Sequence, residues 1–218
     1  MNGGLASARN YGVGKASGDL ILCLDSDDLL SSNYIEVMIK EFKKNKDIRI
    51  VYSNGYMFDY KSNFWLLPKY NEKTIVKNNI IHCSAMYYKT DWILTGGYNN
   101  LLNKGWEDWD FWLSIINLGA EVKKINKPYF YYRIRKESMV RSMTEEYKEY
   151  AYKLIYERNK TLFIKHNILK EKKGKEGSGD YIKMTKYFIT KFVFNLFYSS
   201  GLKKEINYKN LVLDKKKC

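Results

Sequence analysis

The stretch Leu20-Ile21-Leu22-Cys23-Leu24-Asp25-Ser26-Asp27-Asp28 decides how this chain is read. Five consecutive apolar residues after Gly18-Asp19 predict a short strand over 20–24, buried on both faces, because a half-exposed strand would alternate. Three carboxylates follow at once. Carboxylates crowded at a strand end repel one another and hold raised pKa values unless a positive charge sits among them. A divalent cation is the expected charge. Oxygen ligands that leave positions open suit magnesium or manganese shared with a phosphate, rather than zinc. The alternative for so short a motif is an acidic turn in which Asp28 caps the next helix.

Working outward, Leu5, Ala8, Gly12, Val13 and Ala16 fall near helical spacing, and Ser17-Gly18 ends that helix before the strand. Helix then buried strand is half of an α/β unit. Downstream, Asn33 and Glu36 have the spacing of a capping box. Ile35, Met38, Ile39 and Phe42 recur at i, i+3, i+4 and i+7, which predicts an amphipathic helix to about residue 46. Residues 48–53 read as a second strand, and 56–60 with 64–67 as an exposed hairpin about Lys61-Ser62-Asn63. A short helix over 74–79, a strand over 84–88 and a Gly96-Gly97 turn come next.

Gly105-Trp106-Glu107-Asp108-Trp109-Asp110 opens the second informative stretch. Trp109, Trp112, Leu113 and Ile116 form one apolar stripe and Phe111, Ile115 and Leu118 another, so this helix is buried nearly all round until Gly119 stops it. Its acidic first turn is therefore aimed at something inside the protein. A cap that complements the helix dipole is the simpler role for Glu107 or Asp108, and it does not exclude a chemical one. Residues 122–125 and 129–132 read as closing strands, followed by a cationic loop of Arg133, Arg135, Lys136 and Arg141, whose guanidinium forks match phosphate oxygens. Residues 144–166 read as helix, 172–179 as a polar glycine-rich linker and 182–198 as an aromatic, basic helix.

The net charge of +14 is unevenly placed: residues 1–120 carry 13 basic and 13 acidic side chains, residues 121–218 carry 25 and 11. A neutral front and a basic rear suggest an anionic partner, a membrane surface or nucleic acid, or simply a lysine-rich solvated face. Three cysteines, Cys23, Cys83 and Cys218, form no CxxC pair, and His82 and His166 have no metal-ligand spacing. No apolar run spans a bilayer and the first residues are no signal peptide, so reduced thiols and a cytoplasmic location are expected.

Together these motifs resemble a family. Asn2-Gly3-Gly4-Leu5-Ala6-Ser7-Ala8-Arg9-Asn10-Tyr11-Gly12, Gly18-Asp19, Leu24-Asp25-Ser26-Asp27-Asp28, Gly96-Gly97-Tyr98 and Glu107-Asp108-Trp109-Asp110 are similar, in order and in spacing, to the family 2 glycosyltransferases of the GT-A fold. The resemblance implies an α/β fold, an incomplete Rossmann-like mixed sheet flanked by helices. It places the catalytic domain over residues 1–140 and a basic helical C-terminal extension over 141–218. It implies inverting transfer of a sugar from a nucleotide-diphosphate sugar to an acceptor hydroxyl, on a glycan or lipid-linked acceptor in cell-surface polysaccharide or lipopolysaccharide synthesis. Asp25 and Asp27 resemble the pair that holds Mn2+ or Mg2+ against the donor diphosphate and ribose, with Asp28 sharing the metal. Asp108 resembles the base that deprotonates the acceptor, with Glu107 beside it. Arg9 resembles a nucleotide-contacting arginine accompanied by Asn10, and Arg133 and Arg135 are diphosphate-loop candidates.

The departure from the family is at the start. Members carry further βα units before the Asn-Gly-Gly segment, including part of the base pocket, so the resemblance leads to the expectation of a fragment with a bared strand edge. Two other classes stay open: a non-catalytic remnant lying on the inner face of a membrane through its basic rear, and a nucleic-acid-binding protein. The latter leaves both acidic clusters without purpose and shows no recognised binding motif, so no nucleic-acid partner is expected.

Overall fold

The computed structural model describes residues 3–136 and 142–168. In chain order the elements are α1 (Gly4–Lys15), β1 (Leu20–Leu22), β2 (Leu29–Leu30), α2 (Tyr34–Lys44), β3 (Ile48–Asp59), β4 (Asn63–Trp65), α3 (Glu72–Ile75), β5 (Met86–Tyr88), α4 (Lys89–Thr95), α5 (Glu107–Asn117), β6 (Glu121–Ile134), α6 (Glu145–Arg158) and α7 (Lys160–Lys165). The strands form one mixed sheet in the order β1-β5-β3-β6-β2, with β4 paired to the far end of β3. Only β3 and β6 run parallel; the other pairings are antiparallel.

Alternation along β3 builds three layers. Ile50 and Tyr52 face one way, into a core shared with Ala6 and Val13 of α1, the apolar residues of α5, and α6 and α7. Val51 faces the other way, onto Tyr34, Met38 and Phe42 of α2. These three α2 residues lie at i, i+4 and i+8, one stripe of the helix predicted from its periodicity. The capping box does not form: Asn33 makes no cap hydrogen bond, its Oδ1 accepts from Ser31 Oγ, and Glu36 pairs outward with Lys40.

The helix over 4–15 and the buried helix over 107–117 stand where expected. The hairpin also forms, pairing Tyr56 with Phe64, although Tyr56 is buried rather than exposed. Three readings change. The run 20–24 is a strand for only three residues and is not buried on both faces: β1 is an edge strand with one neighbour, Ile21 alone is fully covered, and Leu24 is exposed. The closing strands over 122–125 and 129–132 are one 14-residue strand that includes Arg133. Its pairing with β3 jumps from Ser53↔Ile125 to Asn54↔Pro128, and Asn54 Nδ2 donates to the carbonyl of Asn126 in the bulge. A bulge admits a proline, which has no N–H for the ladder, without ending the strand. The helix over 144–166 is two helices broken at Asn159.

Residues 142–168, read as the start of an extension, pack into the α5 core through Ala151, Tyr152, Ile155, Leu162 and Phe163. Buried polar groups bind them there. Asn159 Nδ2 donates to Asp110 Oδ1 and its Oδ1 accepts from Ser114 Oγ, while Arg158 donates to Asp110 Oδ2 and to the carbonyls of Thr95 and Gly97. The linker over 172–179 and the helix over 182–198 lie outside the described residues. Among the described residues no helix is long and apolar enough to cross a membrane.

Burial pushes the Asp110 carboxyl up to about 6, against the pull of Arg158. Arg158→Met therefore strands a buried carboxylate and should cost about 3 kcal/mol in urea unfolding near neutral pH. Because the folded-state pKa lies above the unfolded value, the penalty attaches to the ionised form. It should shrink as the pH is lowered from about 8 to about 5, and a penalty that grows on acidification would refute this account.

Candidate active site

The chain leaves β1 at Leu22 and turns tightly, with the Asp28 N–H donating to the Asp25 carbonyl. The two residues of β2 then pair with Phe130 and Tyr131 of β6. That short pairing fixes the acidic turn against β6, where Asp28 Oδ1 accepts the Arg133 N–H at 2.9 Å. Asp28 is 4% exposed and its Oδ2 has no hydrogen-bond partner. Burial, with Asp25 and Asp27 nearby, pushes its carboxyl up to about 7. Positive charge does sit among the three carboxylates: Arg9 pairs with Asp25 and Arg135 with Asp27.

The second acidic group comes from the start of α5. Gly105 has φ 120° and Trp106 φ 67°, a left-handed pair that turns the chain sharply into the helix. Trp109 Nε1 donates to the Ile75 carbonyl at 2.7 Å, which holds the first turn of α5 against α3. Glu107 is thereby buried, whereas Asp108 keeps part of its surface open. Asp108 Oδ1 accepts the Trp109 N–H and its Oδ2 accepts from Asn79 Nδ2 at 3.0 Å.

Arg9 joins the two groups. From the middle of α1 its Nη2 donates to Asp25 Oδ1 at 2.8 Å and its Nη1 donates to Glu107 Oε1, with the guanidinium carbon 5.6 Å from the centre of the Tyr98 ring. Burial alone would pull the arginine pKa down; Cys83, Glu107 and Asp25 around it more than offset that, so it is held firmly protonated. Burial and the adjacent Asp108 push Glu107 up to about 7 despite Arg9. Burial also raises Asp108, opposed by Arg9, the Trp109 N–H and Asn79. The site thus presents one fixed cation, one carboxylate with open surface and a second carboxylate group 16 to 19 positions after Arg9 in the sequence.

Each residue singled out from the sequence has a definite place. Asp25, Asp28, Glu107 and Asp108 converge. Asp27 does not join them: it pairs with Arg135 at 3.0 Å, and its carbonyl accepts from Arg133 Nε. Arg133 also reaches Asp59, so both arginines face the acidic turn and neither stands in a free loop. Asn10, which the resemblance sets beside Arg9, donates from its amide to the Tyr98 carbonyl and to Asn100 Oδ1, and its Oδ1 accepts from Trp92 Nε1 and the Tyr98 N–H. Both of its donors and both acceptor positions are engaged in this arrangement. It secures the turn at Gly97, where φ is +75° and a Cβ would sit 2.5 Å from Trp92 Nε1. Arg9, set by the resemblance against the nucleotide, is buried and paired with Asp25 and Glu107.

Asn79 and Cys83 were missed as site residues. Cys83 Sγ donates to Asp25 Oδ2 at 3.6 Å, and nothing in its local sequence marks it, since the contact crosses the sheet. The donor set fits a divalent cation: one oxygen each of Asp25 and Asp28 and the Cys83 sulfur lie within 4.8 Å of one another, and the orphaned Asp28 Oδ2 is a buried acceptor that such an ion would satisfy.

Residues 1–96 match the model for glycosyl transferase family 2. The chain is 32% identical, over 130 residues, to a chondroitin synthase of Pasteurella multocida, and a chondroitin synthase of Escherichia coli is 29% identical over 168. The family match takes in residues 1–96 of 218, and it is family 2 that this part of the chain is similar to. Those alignments take in 58% and 75% of the chain but only 13% and 24% of the two synthases, so the chain spans a minor part of these relatives. An undecaprenol-linked galactosyltransferase of E. coli is 27% identical, with 64% of this chain and 53% of that protein covered. The fold is shared with Staphylococcus aureus TarS, residues 1–349, at a TM-score of 0.60 and 15% identity, covering 93% of this chain and 56% of that one. The mixed sheet flanked by helices is thus the GT-A-like architecture.

Arg9→Met leaves Glu107 buried without its counter-charge, and should lower unfolding stability by about 3 kcal/mol. Arg9→Lys should recover little of it, because one ammonium cannot fork between two carboxylates. Urea unfolding of both variants tests this; full recovery by lysine would show that charge alone, and not the fork, ties the clusters.

Proposed function

We propose that this domain transfers a sugar, with inversion, from a nucleotide-diphosphate donor to an acceptor hydroxyl. The observation that carries the proposal is the Arg9 fork, which sets the Asp25 turn and the Glu107-Asp108 pair on either side of one guanidinium. Inversion requires a base on the face opposite the leaving group, so two acidic centres close together but differently disposed are the arrangement this chemistry needs. TarS has been crystallised with UDP-GlcNAc and with UDP, which supports a nucleotide-sugar donor. The relatives are named as a chondroitin synthase and as a galactosyltransferase acting on GlcNAc-diphosphoundecaprenol, which supports a glycan or lipid-linked acceptor.

Asp108 is the base. It is the acid at the start of α5 with open surface, and Asn79 orients the oxygen that is not held by the helix backbone. Glu107, buried against Arg9, positions that helix and does not touch substrate. Asp25 and Asp28 would hold Mn2+ or Mg2+, and that ion, when bound, neutralises the negative charge that grows on the departing nucleoside diphosphate. Arg135 and Arg133 flank the same turn and can supply guanidinium donors to phosphate oxygens once Arg135 leaves Asp27.

The test is hydrolysis and transfer with a panel of nucleotide sugars. Asp108→Asn should lower kcat/KM by about two orders of magnitude or more with donor binding retained. Because Asp108 works deprotonated and its pKa is raised above the ordinary carboxylate value of about 3.9, kcat/KM should climb with pH over a range above that value and then level. Unchanged turnover in Asp108→Asn would remove the base assignment.

A further inference from the structure

We propose that Asn79 is a positioning residue for the base: its side-chain amide, which can face only one way, keeps Asp108 ionised and fixes the orientation of that carboxylate. This deepens the reading of Asp108 as the base and rests on it. Asn79 Nδ2 donates to Asp108 Oδ2 at 3.0 Å, and Asn79 Oδ1 accepts the Ile81 N–H at 3.2 Å. The amide is thereby locked. Turned over, it would set its NH2 against the Ile81 N–H and its oxygen against a carboxylate oxygen, two donors together and two acceptors together.

The segment that carries Asn79 is packed on both sides of it. Ile75, Val76, Ile80 and Ile81 are buried, and the Trp109 indole of α5 donates to the Ile75 carbonyl. The next residue, His82, stacks on Phe130 of β6 with ring centres 4.3 Å apart, and its carbonyl accepts the Ala85 N–H. Residues 75–81 therefore meet the first turn of α5 twice, at Trp109 and at Asp108. The donor and the base share one frame, and a group held by packing and by a second hydrogen bond can hold its partner in a single geometry.

The surroundings of Asp108 pull both ways. Burial opposes its ionisation most and Asp25 of the acidic turn adds to that, whereas Arg9 of α1, the Trp109 N–H and Asn79 favour the charged form. Glu107 on α5 and Cys83 across the site, both raised first by burial, are raised further by Asp108, so each lies within reach of its charge. Arg9 is already shared between Asp25 and Glu107. Among the described residues Asn79 is the side chain whose hydrogen bond goes to Asp108 itself. Its loss removes a bond to the charged form, so Asp108 should then give up its proton at a higher pH.

The aspartate carboxyl carbons of the full chain are followed by NMR against pH, with the Asp108 signal assigned by its loss in Asp108→Asn, and kcat/KM is measured over the same range with the panel of nucleotide sugars. The Asp108 midpoint, and with it the rising limb of kcat/KM, should lie about one pH unit higher in Asn79→Ala and at least as high in Asn79→Asp, with KM for the donor changed less than about twofold. Asn79→Asp separates positioning from structure: its carboxylate still accepts the Ile81 N–H, so a residue needed only to hold that turn would tolerate the change. Both readouts are positions on a pH axis, which a smaller folded fraction does not move, and the midpoint is read without turnover. A midpoint unchanged in either variant, whatever the plateau of activity does, overturns the role of Asn79 and leaves Asp108 as the base. Full turnover in Asp108→Asn overturns both.

Discussion

A guanidinium buried between two carboxylates is the contact on which the site depends. Arg9 is 7% exposed, and a charge removed so far from water is tolerable only with anionic partners at hydrogen-bond distance. Asp25 takes one prong and Glu107 the other, so the electrostatic requirement of one side chain ties the first helix, the turn after the first strand and the start of α5. The tie constrains both directions. Without Arg9 the two acidic groups would repel, and without them α1 would carry an uncompensated charge into the core.

That constraint also sorts four similar acids into different states. Asp25 is paired, and Asp28 is shut away and pushed up to about 7. Glu107 is raised by burial although Arg9 touches it, and Asp108 keeps open surface. The proposed transfer would need carboxyl groups with unlike properties, and environment rather than residue type supplies the difference. The backbone contributes through small features: two residues of β2 dock the acidic turn on β6, and a left-handed Trp106 sets the angle at which α5 begins. The edges of the helical layer are fixed more deeply, through the Asp110, Arg158 and Asn159 network, whose members lie far apart in sequence.

Strong periodic signals translated directly into structure. The helix at α2, the buried helix at α5 and the glycine turn at 96–97 are local, since each is set by residues within two or three helical turns or by a single positive φ, although α2 buries Tyr34 where the pattern had put Ile35, which is exposed. The strand at 20–24 was readable as apolar but not as an edge, because the number of neighbours a strand has is a property of the sheet. Residues 122–125 and 129–132 read as two strands where a bulge makes one. The resemblance set Asn10 beside Arg9, and its contacts with Tyr98, Trp92 and Asn100 were not readable from the sequence.

By itself the sequence determined the α/β class, the helix and strand alternation, the presence of two acidic motifs and their kinship with family 2. All of these follow from residue type and spacing along the chain. Only the tertiary structure decided that Arg9 joins those motifs, that Asp27 turns away to Arg135, that Asn10 is spent on Tyr98 and Trp92, and that Cys83 faces Asp25 across 58 positions. The physical reason is that charge and hydrogen-bond partners are chosen by distance in space. The folding of a sheet sets those distances, and they leave no trace in local spacing.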